Sequence, residues 1–184
     1  FATASHDKNI TLCTVSGNKQ ILHDHTAPVT SVSFNTTKSL LASASDDSTI
    51  RIWKDGRLLN VLKGHSAGIS TIKWHPSSPN IIASASFDGT VKIWDALSGD
   101  CMQTFAHHAD GIITMDIHPS GNFIVTCGKD CVFALWKIPD AKLIVALTHE
   151  ANITHAAFSP SGNSLAISFE IPDMIVLDLA QYIN

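Results

Sequence analysis

The chain has 184 residues, of which 45% are hydrophobic and 15% are charged, and this composition predicts a globular protein with a substantial core. The formal net charge is −4 and no block of Lys and Arg occurs, so direct contact with nucleic acid, which needs a clustered basic surface, is not expected. No apolar run approaches the length of a membrane span, so membrane insertion is not expected either.

The cysteines predict the cellular compartment, and the first residue predicts that the chain belongs to a longer protein. The four cysteines lack the paired spacing of a disulfide framework, so we expect free thiols in a reducing compartment. This predicts an intracellular protein, cytoplasmic or nuclear. The chain begins with Phe rather than Met, already within a strand-like pattern, and we therefore expect it to be part of something longer.

An internal repeat organises the chain. Four times a His is followed by a segment in which apolar and polar residues alternate, and successive histidines are 40, 43 and 41 residues apart. The four segments are TAPVTSVSF after His25, SAGISTIKW after His65, ADGIITMDI after His108 and EANITHAAF after His149.

The alternation predicts four short strands in each complete unit, and no segment has the pattern of a long amphipathic helix. In the first complete unit the strands are expected near residues 28–34, 40–45, 49–53 and 57–62. The next two units give the same four strands, and turn residues separate them. The clearest turns are Asp46-Asp47, Lys54-Asp55-Gly56, Phe87-Asp88-Gly89 and Gly128-Lys129-Asp130.

A four-stranded antiparallel sheet cannot bury both of its faces alone, but sheets arranged radially cover each other, as in a β-propeller. An open β-sandwich is the alternative, and it would not require the same polar residues to return at fixed offsets. We therefore predict an all-β propeller segment with three complete four-stranded blades and two partial ones. The expected divisions are a partial blade 1–23, blades 24–63, 64–106 and 107–148, and a degenerate partial blade 149–184.

Four polar side chains recur at fixed offsets in the three complete units: a His, a Ser or Thr, an Asp 22 or 23 residues after the His, and a Trp six residues after the Asp. An indole N–H only donates and a carboxylate only accepts, whereas imidazole and hydroxyl do both. In the order Trp, Ser/Thr, His, Asp, every member of a buried network would have a partner, and the network is favourable only when complete. The predicted members are His25, Ser43, Asp47 and Trp53; His65, Ser84, Asp88 and Trp94; and His108, Thr126, Asp130 and Trp136.

The outer units depart from this pattern. In the last unit His149 persists, but the other three positions hold Ile167, Ile171 and Leu177, so we expect apolar packing to replace most of the network there. The first unit keeps the Thr and Asp positions as Thr3 and Asp7 but has a Cys in the Trp position.

The chain resembles the WD-repeat family, named for a Trp-Asp ending. The residues that carry the resemblance are Gly64-His65 and the stretch SASFDGTVKIWD, which ends in Trp94-Asp95. It covers essentially the whole chain, although the other complete units depart at the signature dipeptides: Asp24-His25, Trp53-Lys54, His107-His108 and Trp136-Lys137. The resemblance implies a rigid platform that binds other proteins or peptides, as a subunit of a multiprotein assembly, on the narrow face where loops gather.

The family pattern also implies contact positions. One is the residue before the structural Asp, and two others flank the first apolar residue of the inner strand. Among them Asp46, Phe87, Lys129, Thr30, Ser70 and Ile113 are the candidate partner-binding residues. Phe87 is favoured, because a large aromatic side chain on an exposed tight turn is a typical interface anchor.

Catalytic and metal-binding interpretations are disfavoured. The Ser/His/Asp sets resemble hydrolase triads, but their hydroxyls fall in mid-strand beside an indole, and no G-x-S-x-G turn occurs. His23-Asp24-His25 and His107-His108 resemble zinc ligands, yet His25 and His108 already have network positions, and Cys127 and Cys131 have no second cysteine pair. We expect no catalytic residue, metal or cofactor.

Two further expectations concern the whole protein. A substrate-receptor subunit of a ubiquitin ligase is an alternative, but the Arg that many such receptors carry two residues after Trp-Asp is replaced here by Gly56, Leu97 and Pro139. The repeat length divides the chain into four and a half blades, which predicts an open crescent. Two more blades, making seven, or another chain would then cover the open edges.

Overall fold

In the computed structural model, which describes residues 1–14 and 16–182, the chain forms five antiparallel sheets, and consecutive strands pair within each sheet. Sheet I contains β1 (Ala2–Ala4), β2 (Asn9–Cys13) and β3 (Lys19–His23). Sheet II contains β4 (Val29–Phe34), β5 (Leu41–Ser45), β6 (Thr49–Lys54) and β7 (Arg57–Lys63). Sheet III contains β8 (Ile69–Trp74), β9 (Ile81–Ser86), β10 (Thr90–Asp95) and β11 (Cys101–Ala106).

The last two sheets repeat this arrangement. Sheet IV contains β12 (Ile112–Ile117), β13 (Phe123–Gly128), β14 (Val132–Lys137) and β15 (Lys142–Thr148). Sheet V contains β16 (Ile153–Phe158), β17 (Ser164–Phe169) and β18 (Met174–Asp178), followed by a one-turn 3-10 helix, Leu179–Gln181. The predicted fold class is confirmed: three four-stranded sheets are flanked by two three-stranded ones.

Each pair of neighbouring sheets encloses its own hydrophobic core, because successive side chains of a strand point to opposite faces and both faces carry buried apolar residues. The second strands are the most deeply buried, and all five residues of β5, Leu41–Ser45, are buried. Their small Ala and Ser side chains allow a sheet to be covered closely on both faces. The core between sheets II and III contains Ala42, Ala44, Ile50, Ile52, Ile69, Ile72, Trp74 and Ile82.

A hydrogen-bonded clasp joins successive sheets at the residue that follows the inner strand. His75 follows β8, and its Nε2 lies 3.0 Å from the carbonyl oxygen of Gly121 in sheet IV. His118 follows β12 and reaches Gly162 O in sheet V at 2.9 Å. Asn35 makes the equivalent bond from sheet II, where its Nδ2 donates to Pro79 O at 3.0 Å. Three neighbouring pairs of sheets are therefore tied at the same point.

The geometry of the clasp determines the tautomer of the histidine ring and requires glycine at the position that the ring contacts. The Nδ1 atom of His75 accepts the N–H groups of Ser77 and Ser78, so its ring proton lies on Nε2 and is donated across the sheets. Gly121 has a φ of +79°, and a Cβ there would overlap the His75 ring. The close approach and the left-handed backbone both require glycine at this position.

The first and last sheets remain separate. Among the described strands, β1 pairs with β2 alone and β18 with β17 alone, so no ladder joins sheet I to sheet V. This agrees with the predicted open arrangement. The total number of blades stays a prediction.

Breaking one clasp should destabilise the protein measurably. His118→Leu removes the bond to Gly162 and the acceptor for the Ser120 N–H, which should lower the free energy of unfolding by about 1–3 kcal/mol. His118→Gln should cost less, because its amide can still donate across the sheets. Urea denaturation of both variants measures the difference, and wild-type stability of His118→Leu would contradict a stabilising clasp.

Candidate functional site

Three buried hydrogen-bond networks lie in the complete sheets. In sheet III, Trp94 Nε1 donates to Ser84 Oγ at 2.8 Å, Ser84 Oγ lies 2.8 Å from His65 Nε2, and His65 Nδ1 lies 2.8 Å from Asp88 Oδ2. Sheet II joins Trp53, Ser43, His25 and Asp47 at 2.9, 2.8 and 2.8 Å. Sheet IV joins Trp136, Thr126, His108 and Asp130 at 3.0, 2.8 and 3.0 Å.

Donor and acceptor roles determine where the protons lie. Because the indole of Trp94 only donates, the Ser84 hydroxyl gives its proton to His65 Nε2, and the imidazole must then donate from Nδ1 to Asp88. The histidine is neutral and the aspartate is ionised. Burial lowers the pKa of His65, although Asp88 acts in the opposite direction, and the pKa of His25 is lowered in the same way.

The aspartates have low pKa values. Burial opposes ionisation of Asp88, but hydrogen bonds from Thr90, His65 and the Ser66 N–H together lower its pKa to about 2. The pKa of Asp47 is about 2 for the equivalent reasons, and that of Asp130 is lowered mainly by the bond from His108 acting against burial. These carboxylates therefore remain charged in the folded protein.

Each aspartate ties two loops together. Asp88 accepts the N–H of Ser66, in the loop that enters the inner strand, and the N–H of Thr90, after the turn between the second and third strands. Asp47 and Asp130 do the same in their own sheets. We call the end of the molecule where these loops and turns lie the loop face, and the networks fix its backbone.

Three candidate partner-binding residues lie exposed on this face. Asp46, Phe87 and Lys129 each precede a network aspartate, and their N–H groups donate to carbonyl oxygens at the entrance of the inner strands at 3.0, 2.9 and 2.9 Å. Phe87 is 40% exposed, and the Lys129 ammonium lies 4.9 Å from the centroid of its ring. A Cβ on Gly111 would lie 2.9 Å from Phe87 Cα, so glycine permits this turn to pack closely. The three side chains therefore stand on a rigid surface.

The other three candidates lie at a β-bulge. The register between the first two strands shifts in sheets II, III and IV, and the extra residues are Thr30, Ser70 and Ile113. The hydroxyl proton of Thr30 has two carbonyl acceptors within reach, Ala44 O at 3.1 Å and, in the next sheet, Ile69 O at 2.6 Å. Ser70 Oγ similarly donates to a backbone carbonyl. Ile113 has no hydroxyl to use in this way.

In sheet V, His149 makes a different contact from the network histidines. The rings of His149 and Phe169 are stacked with their centroids 3.9 Å apart, and Nδ1 of His149 accepts the Ala151 N–H. Ile167 is buried and Leu177 packs against the same core, whereas Ile171 is 47% exposed. Apolar packing therefore replaces the network at two of the three changed positions. Phe169 stands where sheets II and III have Ser45 and Ser86, a change that is visible in the sequence.

The residues considered for metal binding have other contacts. His23 Nδ1 lies 2.6 Å from Asn9 Oδ1, Asp24 forms an ion pair with Arg51 at 3.0 Å, and burial raises the pKa of Cys127 to about 12. Within residues 1–14 and 16–182, no group of three or more His, Cys, Asp or Glu is arranged to hold a metal ion. The same part of the chain has no helix long and apolar enough to span a membrane.

Comparison with known proteins gives one family and several relatives. The family model described as "WD domain, G-beta repeat" matches residues 16–54, 56–95 and 99–137. Nuclear distribution protein nudF of Aspergillus niger is 33% identical over 150 residues, which are 77% of this chain and 33% of that protein. Nuclear distribution protein PAC1-1 of Uncinocarpus reesii is 37% identical over 150 residues, with the same coverage. The chain thus spans about a third of the length of these curated relatives.

The matched repeats are staggered against the sheets. The second match contains β7, the outer strand of sheet II, and then β8, β9 and β10 of sheet III. The first and third matches bridge sheets I and II and sheets III and IV in the same manner. Each repeat therefore contributes strands to two sheets.

Loss of a network histidine should lower the free energy of unfolding more than loss of His149, which belongs to no complete network. His65→Ala would leave Asp88 and the Ser84 hydroxyl without their partner and should lower the free energy of unfolding by roughly 2–4 kcal/mol. His149→Ala removes a ring stack and one bond to a partly buried N–H, and should cost less. Urea denaturation compares the two, and equal losses would contradict the assigned roles.

Acid should weaken the fold in two steps. Because the pKa of His65 in the folded protein is below its ordinary 6.5, the unfolded chain binds more protons as the pH falls below that value, and stability is lost. Asp88, with a pKa of about 2 against an ordinary 3.8, loses its contribution as the pH falls from about 4 toward 2. The free energy of unfolding should fall between about pH 7 and 5, less steeply in His65→Gln. An unchanged free energy in wild-type protein would count against neutral buried histidines.

Proposed function

Because the chain belongs to the WD40-repeat family, we propose that it is a non-catalytic scaffold that binds other proteins through the loop face, as a subunit of a multiprotein assembly. The observation that carries the proposal is Phe87, a large aromatic side chain 40% exposed on a turn. The N–H of Phe87 donates to Gly68 O, and Asp88 fixes the next residues of the turn. Because these bonds fix the backbone of the turn, little backbone conformational entropy would be lost when a partner covers the Phe87 side chain.

The burial of the network hydroxyls supports a non-catalytic role. Ser84 is 0% exposed, and its oxygen accepts from Trp94 while its proton goes to His65. A nucleophilic serine needs an accessible oxygen, a base free to take its proton and an oxyanion hole beside it. The Ser84 hydroxyl instead holds two strands and a loop together, and Ser43 and Thr126 have the same position in their sheets.

The names of the relatives suggest the process in which the protein acts. Their names describe nuclear distribution proteins, and we propose that the intact protein is a subunit of an assembly that acts in nuclear distribution. Neither the family match nor these names support a ubiquitin-ligase receptor. Because the chain covers only about a third of each relative, the partner has to be identified on the intact protein.

Replacing Phe87 should reduce partner capture. In the intact protein, Phe87→Ala should lower the affinity for the partner that binds the loop face about thirtyfold. This is the effect of losing an interface anchor worth about 2 kcal/mol. Affinity purification with quantitative mass spectrometry identifies the partner, and titration of the purified pair gives the dissociation constant.

Leu97→Ala is the matched control. Leu97 is 51% exposed and follows β10 at the opposite end of the sheet, so its removal should leave the affinity unchanged. Equal capture by wild type and both variants would contradict Phe87 as the anchor of the binding surface.

A further inference from the structure

A cavity of about 330 Å³ opens on the loop face between sheets IV and V. Its apolar part is formed by two isoleucines from neighbouring inner strands, one of them fully buried. Its polar part has one cation, one anion and one amide. The lining residues are Ile113, Gly128, Lys129, Asn152, Ile153 and Glu170.

Ile113 departs from the local rule of this fold. It occupies the bulge position of sheet IV, where sheets II, III and V have a hydroxyl that is hydrogen-bonded: Thr30 and Ser70 donate to backbone carbonyls, and Thr154, at the bulge of sheet V, bonds to Ser168. Isoleucine cannot make such a bond and leaves half-buried apolar surface at the cavity instead. Part of the Ile113 side chain packs against the core between sheets IV and V, and a departure from a local rule is a feature expected at functional positions.

The acidic group of the cavity is held in place. Asn152 Nδ2 donates to Glu170 Oε2 at 2.8 Å, while Asn152 Oδ1 accepts from Cys131 Sγ at 3.2 Å. The amide is bonded at both ends, so the carboxylate has a fixed neighbour on the cavity wall. Lys129 lies with its ammonium over the Phe87 ring.

The acidic charge of the loop face as a whole favours a cationic partner. Apart from Asp7 and the network aspartates, the loops and turns of this face carry six acidic residues and two lysines. Asp24 is already paired with Arg51. The acidic residues are Asp24, Asp46, Asp110, Glu150, Glu170 and Asp173, and the lysines are Lys8 and Lys129.

We propose that this cavity receives an arginine side chain of the bound partner, with the guanidinium on Glu170 and the apolar stem against Ile113. A guanidinium matches a carboxylate with two parallel hydrogen bonds, and its methylene stem covers apolar surface. Arginine thus fits both parts of the lining. This proposal rests on the loop face being the partner surface, and it adds the chemistry that the surface selects.

The direct test uses a small probe and the isoleucine methyl groups. N-acetyl-arginine methylamide is titrated into the intact protein labelled at Ile δ1 methyls, and the Ile113 and Ile153 resonances should shift in a saturable manner. Glu170→Gln should weaken binding about tenfold, the size expected for a charge-assisted bond. Glu150→Gln, which removes the same charge from the same face outside the cavity, should bind as wild type does.

Two further comparisons complete the test. The neutral isostere N-acetyl-citrulline methylamide should bind about tenfold more weakly than the arginine probe, and Ile113→Thr, which restores the hydroxyl found in sheet II, should also weaken the arginine probe. Absence of shifts with the arginine probe, preference for N-acetyl-glutamate methylamide, or equal effects of Glu170→Gln and Glu150→Gln would overturn the proposal.

The two proposals can fail separately. If a partner captured by the intact protein is lost in Phe87→Ala but retained at full affinity in Glu170→Gln and Ile113→Thr, the arginine site is wrong and the scaffold function stands. If Phe87→Ala has no effect while Glu170→Gln weakens both the arginine probe and the partner, the cavity is supported and Phe87 is not the anchor.

Discussion

An ionised carboxylate held in a tight turn is the interaction on which each complete sheet depends. Asp47, Asp88 and Asp130 receive bonds from a histidine and from backbone N–H groups of two separate loops. The charge would be costly to bury without these donors, and the donors would be unsatisfied without the charge. The histidine passes the constraint on through a hydroxyl to the tryptophan in the third strand. Loop geometry and core packing are therefore set by one connected group of side chains.

The loop face inherits its rigidity from this arrangement, and its chemistry comes from the residues that the network leaves free. The position before each aspartate has a fixed backbone but an exposed side chain, so Asp46, Phe87 and Lys129 differ without disturbing the sheets. The bulge position is a second such place, where a hydroxyl is the rule and Ile113 the exception. A repeated scaffold can acquire a specific surface in this way.

The sequence was sufficient to predict the strands and the network because both leave periodic signals: alternation within a strand, and four polar residues at fixed offsets. It did not predict the clasps, since His75 and His118 bond backbone carbonyls 46 and 44 residues away, and a carbonyl carries no residue identity. The stacking of His149 on Phe169 was missed because it replaces a polar contact with an unrelated one. The cavity depends on the relative placement of two sheets, which no offset along the chain specifies.

The stagger between repeats and sheets has a consequence for how such a chain can grow. A unit running from β7 to β10 completes the preceding sheet and begins the next one. A gene duplication of that unit would insert one outer strand followed by the first three strands of the next sheet. Every interior sheet would still have four strands. The inserted copy would also carry its own histidine, hydroxyl, aspartate and tryptophan, so its network would be complete on arrival. Whole repeats can thus be gained or lost by recombination without leaving an unpaired strand inside the array.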